Sequence, residues 1–366
     1  MAGQLRVLLD CRMANWTGVG RYTTGLARGL AHCSDIDLIQ VTATGEAPPV
    51  PALTSIGASK HPFTLAGGFE LAGLARGVAA DLTHCTHFPT PFPASHPLVV
   101  TMHDLTPLIV SGIMPSIAKR SVYRWWNRRA VRVADRIITD AAFTVGEIER
   151  VFPGVAGRIT AIPLGVDDFA SGPLGELAEP LATAVKTPYL LSMGSTRPHK
   201  DLPTLLSAFA IVAENRPKLR LLLVGAGEPG YVASRMAAAP AAVRERVSFT
   251  GHVDDAALRT LMTGAAAFAF PSRYEGFGLP PLEAMALGTP SVVAQAASLP
   301  EAVGDGALSF APGDAGALAA QLEALLDDDD LRERMTLAGR ARSRELTWAR
   351  TADATMDVYR KAAGRT

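Results

Sequence analysis

Two parallel β-sheets, each covered by helices on both faces, are the fold predicted by this 366-residue sequence. That is an α/β architecture of two Rossmann-like domains facing across a cleft. Three observations predict it. Short apolar runs alternate with amphipathic segments, and apolar strands set between helices are those buried on both faces of a parallel sheet. The alternation breaks once, near residues 170–187, in an Ala-, Gly- and Pro-rich stretch with weak patterning. The chain is also longer than one hydrophobic core commonly supports.

In the first half, strands are expected at residues 5–10, 37–43, 81–85, 98–103, 136–139 and 159–163. Helical spacing marks residues 20–31, 66–79, 115–134 and 143–151. After the break, strands are expected at 189–193, 219–224, 247–251, 266–270, 290–294 and 308–310. Helices there are expected at 202–214, 255–263, 279–287, 315–326 and 331–344, and a last packing helix at 348–362. The expected domains are 1–172 and 188–346, joined by a linker at 173–187 and followed by a terminal helix at 347–366. Asp327-Asp328-Asp329-Asp330 reads as a solvated loop.

Bulk composition narrows the function. A chain that is 48% hydrophobic and 19% charged is an ordinary globular protein. Thirty-five basic against 35 acidic residues leave no net charge, so nucleic acid is not an expected partner. Cys11, Cys33 and Cys85 show no C-x-x-C spacing and read as reduced, buried thiols of a cytoplasmic protein. The N-terminus runs into a strand pattern without signal-peptide architecture, and no apolar run is long enough to span a bilayer.

The stretch from Tyr274 to Gly288 carries the chemistry. It follows a buried-strand pattern and opens a helix, with two prolines where the first turn has no need of their N–H groups. Main-chain N–H groups of Gly276, Phe277, Gly278 and Leu279 can converge on an anion, with the positive helix end behind them. Glu275, before the turn, and Glu283, in the first helical turn, would repel a phosphate that they faced. They suit neutral hydroxyls, a sugar on one side and a ribose on the other. The stretch thus reads as a nucleotide-sugar site.

Glu275 and Glu283, with seven residues between them that begin Gly276-Phe277-Gly278-Leu279-Pro280, resemble the E-x7-E signature of retaining glycosyltransferases of family 4, whose fold is GT-B. The preceding Phe270-Pro271-Ser272 and the following run to Pro290 strengthen the resemblance. It implies an N-terminal acceptor domain, a C-terminal donor domain and a terminal helix that returns to the first. It implies that His103, in His103-Asp104 at a strand end, orients the donor sugar through hydrogen bonds. It also places Gly251-His252-Val253 at the base edge, where an ordinary strand end reads equally well.

Further motifs follow strand ends. Met193-Gly194-Ser195-Thr196-Arg197-Pro198-His199-Lys200-Asp201 is a glycine turn before a helix, with Asp201 the expected N-cap. Lys200 and Arg197 there, beside Ser195, can supply charge where a departing diphosphate gains it. The family more often has Arg-Lys where this chain has His199-Lys200. Gly18-Val19-Gly20-Arg21 reads either as a plain tight turn or as a glycine turn lining the site, with Arg21 meeting phosphate. Gly225, Gly227 and Gly230 match G-x-G-x-x-G but after the second strand of their domain, which argues against a hydride-transfer site; the resemblance implies that this loop is a wall of the nucleotide pocket. His84 and His87 are expected on a loop.

Arg120, Arg124, Arg128 and Arg132 recur every four residues in the basic helix bounded by Lys119 and Arg132. Two readings stand: peripheral contact with anionic lipid on the inner face of a membrane, or a surface helix with its tryptophans in the core. The resemblance implies retaining, metal-independent transfer of a hexose, with GDP-mannose the first donor, to a saccharide or lipid-linked acceptor. No cofactor and no metal are expected, since Asp35-Ile36-Asp37 lies away from any phosphate turn. A nucleotide-sugar epimerase of related fold and a non-catalytic nucleotide-sugar binder are the alternatives.

Overall fold

The computed structural model describes residues 4–94, 97–114, 116–225, 227, 230–238 and 240–365. The chain forms two compact units, one of Met1–Gly165 with Leu346–Thr366, the other of Val166–Glu345. The first holds strands β1 (Leu5–Asp10), β2 (Ile36–Ala43), β3 (Ser55–Ala58), β4 (Leu82–Cys85), β5 (Leu98–Thr101), β6 (Arg136–Thr139) and β7 (Ile159–Ala161). They pair in the order β3-β2-β1-β4-β5-β6-β7, every pair parallel. The second holds β8 (Tyr189–Met193), β9 (Arg220–Val224), β10 (Val247–Gly251), β11 (Ala267–Phe270), β12 (Ser291–Ala294) and β13 (Leu308–Phe310). Their order is β10-β9-β8-β11-β12-β13, again all parallel. Central strands are buried at every position, as at Leu98–Thr101 and Ala267–Phe270, because helices cover both faces.

In the first unit the helix Thr17–Leu30 packs against the helix Trp348–Ala362. Glycine makes the approach close enough: a Cβ on Gly25 would lie 2.0 Å from Trp348 Cε2, and one on Gly165 2.3 Å from Trp348 N. Below the indole, the Thr351 hydroxyl donates to the Pro163 carbonyl at 2.8 Å. His84 does not sit on a loop. It is fully buried in β4, its ring bonded to the hydroxyls of Tyr359 at 2.6 Å and Thr101 at 2.8 Å. Burial pushes its pKa down to about 3, so it is a neutral link between the last helix and the sheet.

Several boundaries differ from expectation. The β3 strand escapes sequence reading because SIGA is a four-residue edge with no apolar run. The second unit starts at Val166, so residues 166–172 leave the expected first domain and 173–187 is no free linker. Phe169 is buried beneath the Arg259 guanidinium, 5.3 Å from its ring centre, and Arg259 donates to the Pro173 carbonyl at 2.7 Å. Gly175 and Thr260 close the seam, with the Thr260 hydroxyl donating to the Gly175 carbonyl at 2.8 Å. The expected loop at Asp327–Asp330 shrinks to Asp328: Asp327 ends one helix, Asp329 and Asp330 open the helix Asp329–Arg344, and Asp328 caps it by accepting from Leu331 N at 2.8 Å. Cys11 and Cys85 are buried free thiols, while Cys33 is only half-buried.

Candidate active site

The second sheet reverses its strand order between β8 and β11. At such a reversal neighbouring connections leave on opposite faces, and ligands bind in the crevice beyond the carboxyl ends of the strands. The loops after β8 and β11 flank that point. They carry Gly194 to Asp201 and Pro271 to Gly278 respectively.

Glycine main chain draws the adjoining strand ends together. Gly194 N–H donates to the Val224 carbonyl at 3.1 Å, and Gly225 N–H to the Gly251 carbonyl at 3.2 Å. Gly225 adopts φ +131°, and a Cβ there would lie 2.5 Å from the Gly194 carbonyl oxygen, so no other residue fits. Ser195 is half-buried and Arg197 exposed ahead of the 3-10 turn Pro198–Lys200. On the loop after β10, His252 is exposed and Val253 half-buried. The remaining expectation for the G-x-G-x-x-G stretch falls partly on Ala226, Glu228 and Pro229, which lie outside the described residues.

Asp201 follows Lys200 with φ +45°, a left-handed conformation uncommon for any residue bearing a Cβ. It stands at the N-cap of the helix Leu202–Ala213, as expected, but its side chain caps no main-chain N–H there. Its Oδ2 instead accepts from the Thr204 hydroxyl at 2.8 Å and from Arg273 Nε at 2.7 Å. Arg273 N–H donates to the His199 carbonyl at 2.7 Å, and the Ser272 hydroxyl donates to the same oxygen at 3.1 Å. These bonds tie the loop after β8 to the loop after β11. One pair further along, Lys200 Nζ lies 2.6 Å from Glu275 Oε1, with the two side chains 21% and 16% exposed. Asp201→Gly keeps the turn conformation and removes the side-chain tie to Arg273. It is expected to lower turnover about tenfold while moving the unfolding midpoint little, which steady-state kinetics beside calorimetry would read. A purely structural role would lower the midpoint and leave turnover per folded molecule intact.

The loop of Glu275 is held from its other side by Ser298, whose hydroxyl donates to the carbonyls of Glu275 at 2.9 Å and Phe277 at 3.0 Å. Gly278, at φ +114°, then turns the chain into the helix Leu279–Ala286, and a Cβ on it would meet Leu299 Cδ2 at 2.6 Å. Pro280 and Pro281 have no N–H to offer, and no side chain caps this end. Glu283 is the fifth residue of the helix, in its second turn and not its first, and is buried at 3% exposure.

Gly18, Gly20, Arg21 and His103 belong to the first unit. The Gly18-Val19-Gly20-Arg21 stretch is not a turn ahead of a helix but the opening of the helix Thr17–Leu30. Gly20 is required by packing, because a Cβ would lie 2.3 Å from the Ala14 carbonyl oxygen; Gly18 faces open space. At the end of β5, His103 Nδ1 lies 2.8 Å from Asp140 Oδ2 and Nε2 lies 3.0 Å from the Thr86 carbonyl oxygen. With Asp140 ionised both partners are acceptors, and this arrangement favours the imidazolium, which donates from both ring nitrogens. Burial opposes that charge, but the Asp140 carboxylate and the Thr86 carbonyl outweigh it and raise the His103 pKa.

Asp140, Thr86, Asp201, Arg273, Ser272 and Ser298 are the residues that sequence reasoning did not place in these sites. Asp140 had a usable signal, standing just past the apolar run of β6 as His103 stands past β5. The serines gave none, since a hydroxyl bonded to a carbonyl leaves no pattern. Among the described residues no group of three His, Cys, Asp or Glu side chains is placed to hold a metal ion. Asp35 and Asp37 instead pair with Arg360 and Arg6 at 2.6 and 2.7 Å.

Comparison with known proteins bears on the family and the fold. Residues 176–342 match the family model described as glycosyl transferases group 1, and residues 17–165 that of the glycosyl transferase 4-like domain. O-antigen chain mannosyltransferase B of Escherichia coli is 29% identical over 373 residues, covering 94% of this chain and 96% of that protein. The MMP alpha-(1->4)-mannosyltransferase of Mycolicibacterium hassiacum is 31% identical over 283 residues, 74% of this chain and 66% of that one. Among solved structures, sucrose-phosphate synthase from Thermosynechococcus elongatus superposes with a TM-score of 0.78 at 21% identity, over 99% of this chain and 100% of its own. HepE from Anabaena, in complex with UDP-glucose, gives 0.74 at 17% identity, over 98% and 100%. Both likenesses concern the fold, which is GT-B.

Proposed function

Because the chain belongs to the group 1 glycosyl transferases, we propose that it takes a hexose from a nucleoside diphosphate, mannose from GDP-mannose first, with retention and without a metal. Its acceptor in this reading is a saccharide or a lipid-linked saccharide. The observation that carries the proposal is the Lys200–Glu275 pair, 2.6 Å apart at the strand-order reversal. A diphosphate arriving at the Gly276–Leu279 turn competes with the Glu275 carboxylate for the Lys200 ammonium. Lys200, with Arg197, then balances the charge that grows on the departing phosphate. Glu275, released, accepts hydrogen bonds from sugar hydroxyls, and Glu283 takes the ribose diol. Gly225 and the Gly251-His252-Val253 strand end line the nucleotide. His103 holds its protons toward Asp140 and Thr86 and is not a base, so the leaving phosphate receives the acceptor's proton on the face from which it departs.

Incubation with labelled GDP-mannose and UDP-hexoses in EDTA tests this. The expected result is transfer or slow hydrolysis with the anomeric configuration kept. An epimerised donor, or binding without turnover, sinks the reading in favour of the alternatives.

The mannosyltransferase relatives support a saccharide acceptor, and the helix Ile117–Val133 supports its delivery at a lipid surface. Trp126 is buried, but Trp125 is 47% and Ile117 86% exposed, alongside the exposed Arg124, Arg128 and Arg132. Arg120 is exposed on the same face, and its guanidinium donates to the Leu108 carbonyl. Three arginines at about 1 kcal/mol each near an anionic surface are worth roughly a hundredfold in affinity. Arg124→Glu with Arg128→Glu should weaken binding to phosphatidylglycerol vesicles more than tenfold. Unchanged binding eliminates the membrane contact. Among the described residues no helix is long and apolar enough to cross a membrane.

A further inference from the structure

The first sheet has its own reversal, between β1 and β4, and by the same rule a crevice beyond its strand ends. The loop after β1 carries Trp16 to that edge, and its main chain is fixed there. Trp16 N–H donates to the Met13 carbonyl at 3.0 Å, and its own carbonyl accepts from Gly20 N at 2.9 Å. The absence of a Cβ on Gly20 lets this loop fold back on the helix that it starts. The indole stacks on Phe63, which follows β3, with ring centres 5.6 Å and planes 12° apart, and remains 44% exposed. The His61 ring lies 6.2 Å from it. Its Nδ1 accepts the Phe63 N–H at 3.3 Å, which leaves Nε2 as its other polar atom.

Behind this platform an aromatic row leads inward. Phe63 meets the His87 ring edge-on at 5.9 Å, and His87 lies 5.9 Å from His103. An exposed indole is thus connected through packed rings to His103 at the end of β5. A flat apolar ring with a polar neighbour is the surface that one face of a pyranose fits, its axial C–H groups against the ring and its hydroxyls at the rim. Size argues the same way. The uncovered part of the indole is on the order of 100 Å², whereas a stable protein interface needs about 800 Å² on each partner.

We propose that Trp16 is the floor of an acceptor subsite that takes one pyranose ring of a saccharide, with His61 beside it for a ring hydroxyl. The inference rests on the saccharide-acceptor reading given above, but its test needs no donor. Saturation-transfer NMR on the full chain, with α-mannobiose and maltotriose as probes, reads the contact directly. On the wild type, saturation should fall on the axial C–H protons of a single ring of at least one probe. Trp16→Ala should reduce it more than tenfold with an unchanged unfolding midpoint, and Trp16→Phe, which keeps a flat face, should restore part of it. Binding of neither probe by the wild type, or equal saturation in Trp16→Ala, overturns the subsite. A wild type that binds a probe through Trp16 yet turns over no nucleotide sugar keeps the subsite and overturns the donor reading instead.

Discussion

Glu275→Gln and Lys200→Met should each lower sugar transfer by roughly 10²–10³-fold, the range seen when one preorganised charge-stabilising group is removed. The amide in Glu275→Gln would keep the shape and lose the acceptor strength that holds sugar hydroxyls. The thioether in Lys200→Met would keep the stem over the Phe270 ring, 5.3 Å from Nζ in the native chain, and lose the charge. Each single change also leaves the other charge without its partner in a half-buried place, which costs stability. The double variant separates the two effects. With both charges gone, the unfolding midpoint should recover toward that of the wild type while transfer stays low. If transfer recovered as well, the pair would be a structural clasp only. The rates are read by release of nucleoside diphosphate, the midpoints by calorimetry.

Trp348→Ala should destabilise the first unit by about 3–5 kcal/mol, the usual cost of removing a large buried aromatic side chain. The indole is 6% exposed and lies against two glycines, Gly25 and Gly165, that have no side chains with which to refill the space. Backbone there is held by Thr351 to Pro163, so the cavity cannot simply collapse. Gly25→Ala approaches the same contact from the other side, its Cβ falling 2.0 Å from the ring. Both variants should free the helix Trp348–Ala362, visible as faster amide exchange from Thr351 to Tyr359. A midpoint within about a degree of the wild type would contradict the packing account.

How far the residues announced this architecture depends on what kind of signal each element needs. Strands such as Leu98–Thr101, wholly apolar and bounded by turns, were readable because burial on both faces leaves an unbroken run. Ser55–Ala58 was not, because an edge strand can be short and half-exposed. Alanine, glycine and proline at 170–187 suggested a linker; Phe169 under Arg259 shows how one aromatic fixes such a stretch to its neighbour. In the sites, a glycine-rich turn before a helix was legible at Gly276 to Leu279, since main-chain donors need small residues and a helix start. The partners of those residues were not. That Lys200 meets Glu275 across 75 positions, or that Asp201 in a left-handed conformation meets Arg273, follows from strand order and not from any local spacing. His103 illustrates the same limit: its place at a strand end was readable, its two acceptors were not.

The crystal structure of the protein soaked with GDP-mannose, or with whichever donor it turns over, tests the central claim most directly. The account predicts the diphosphate on the main-chain N–H groups of Gly276 to Leu279, the Lys200 ammonium on a phosphate oxygen, and Glu275 swung onto sugar hydroxyls. A donor bound elsewhere, with Lys200 and Glu275 still paired at 2.6 Å, would contradict it.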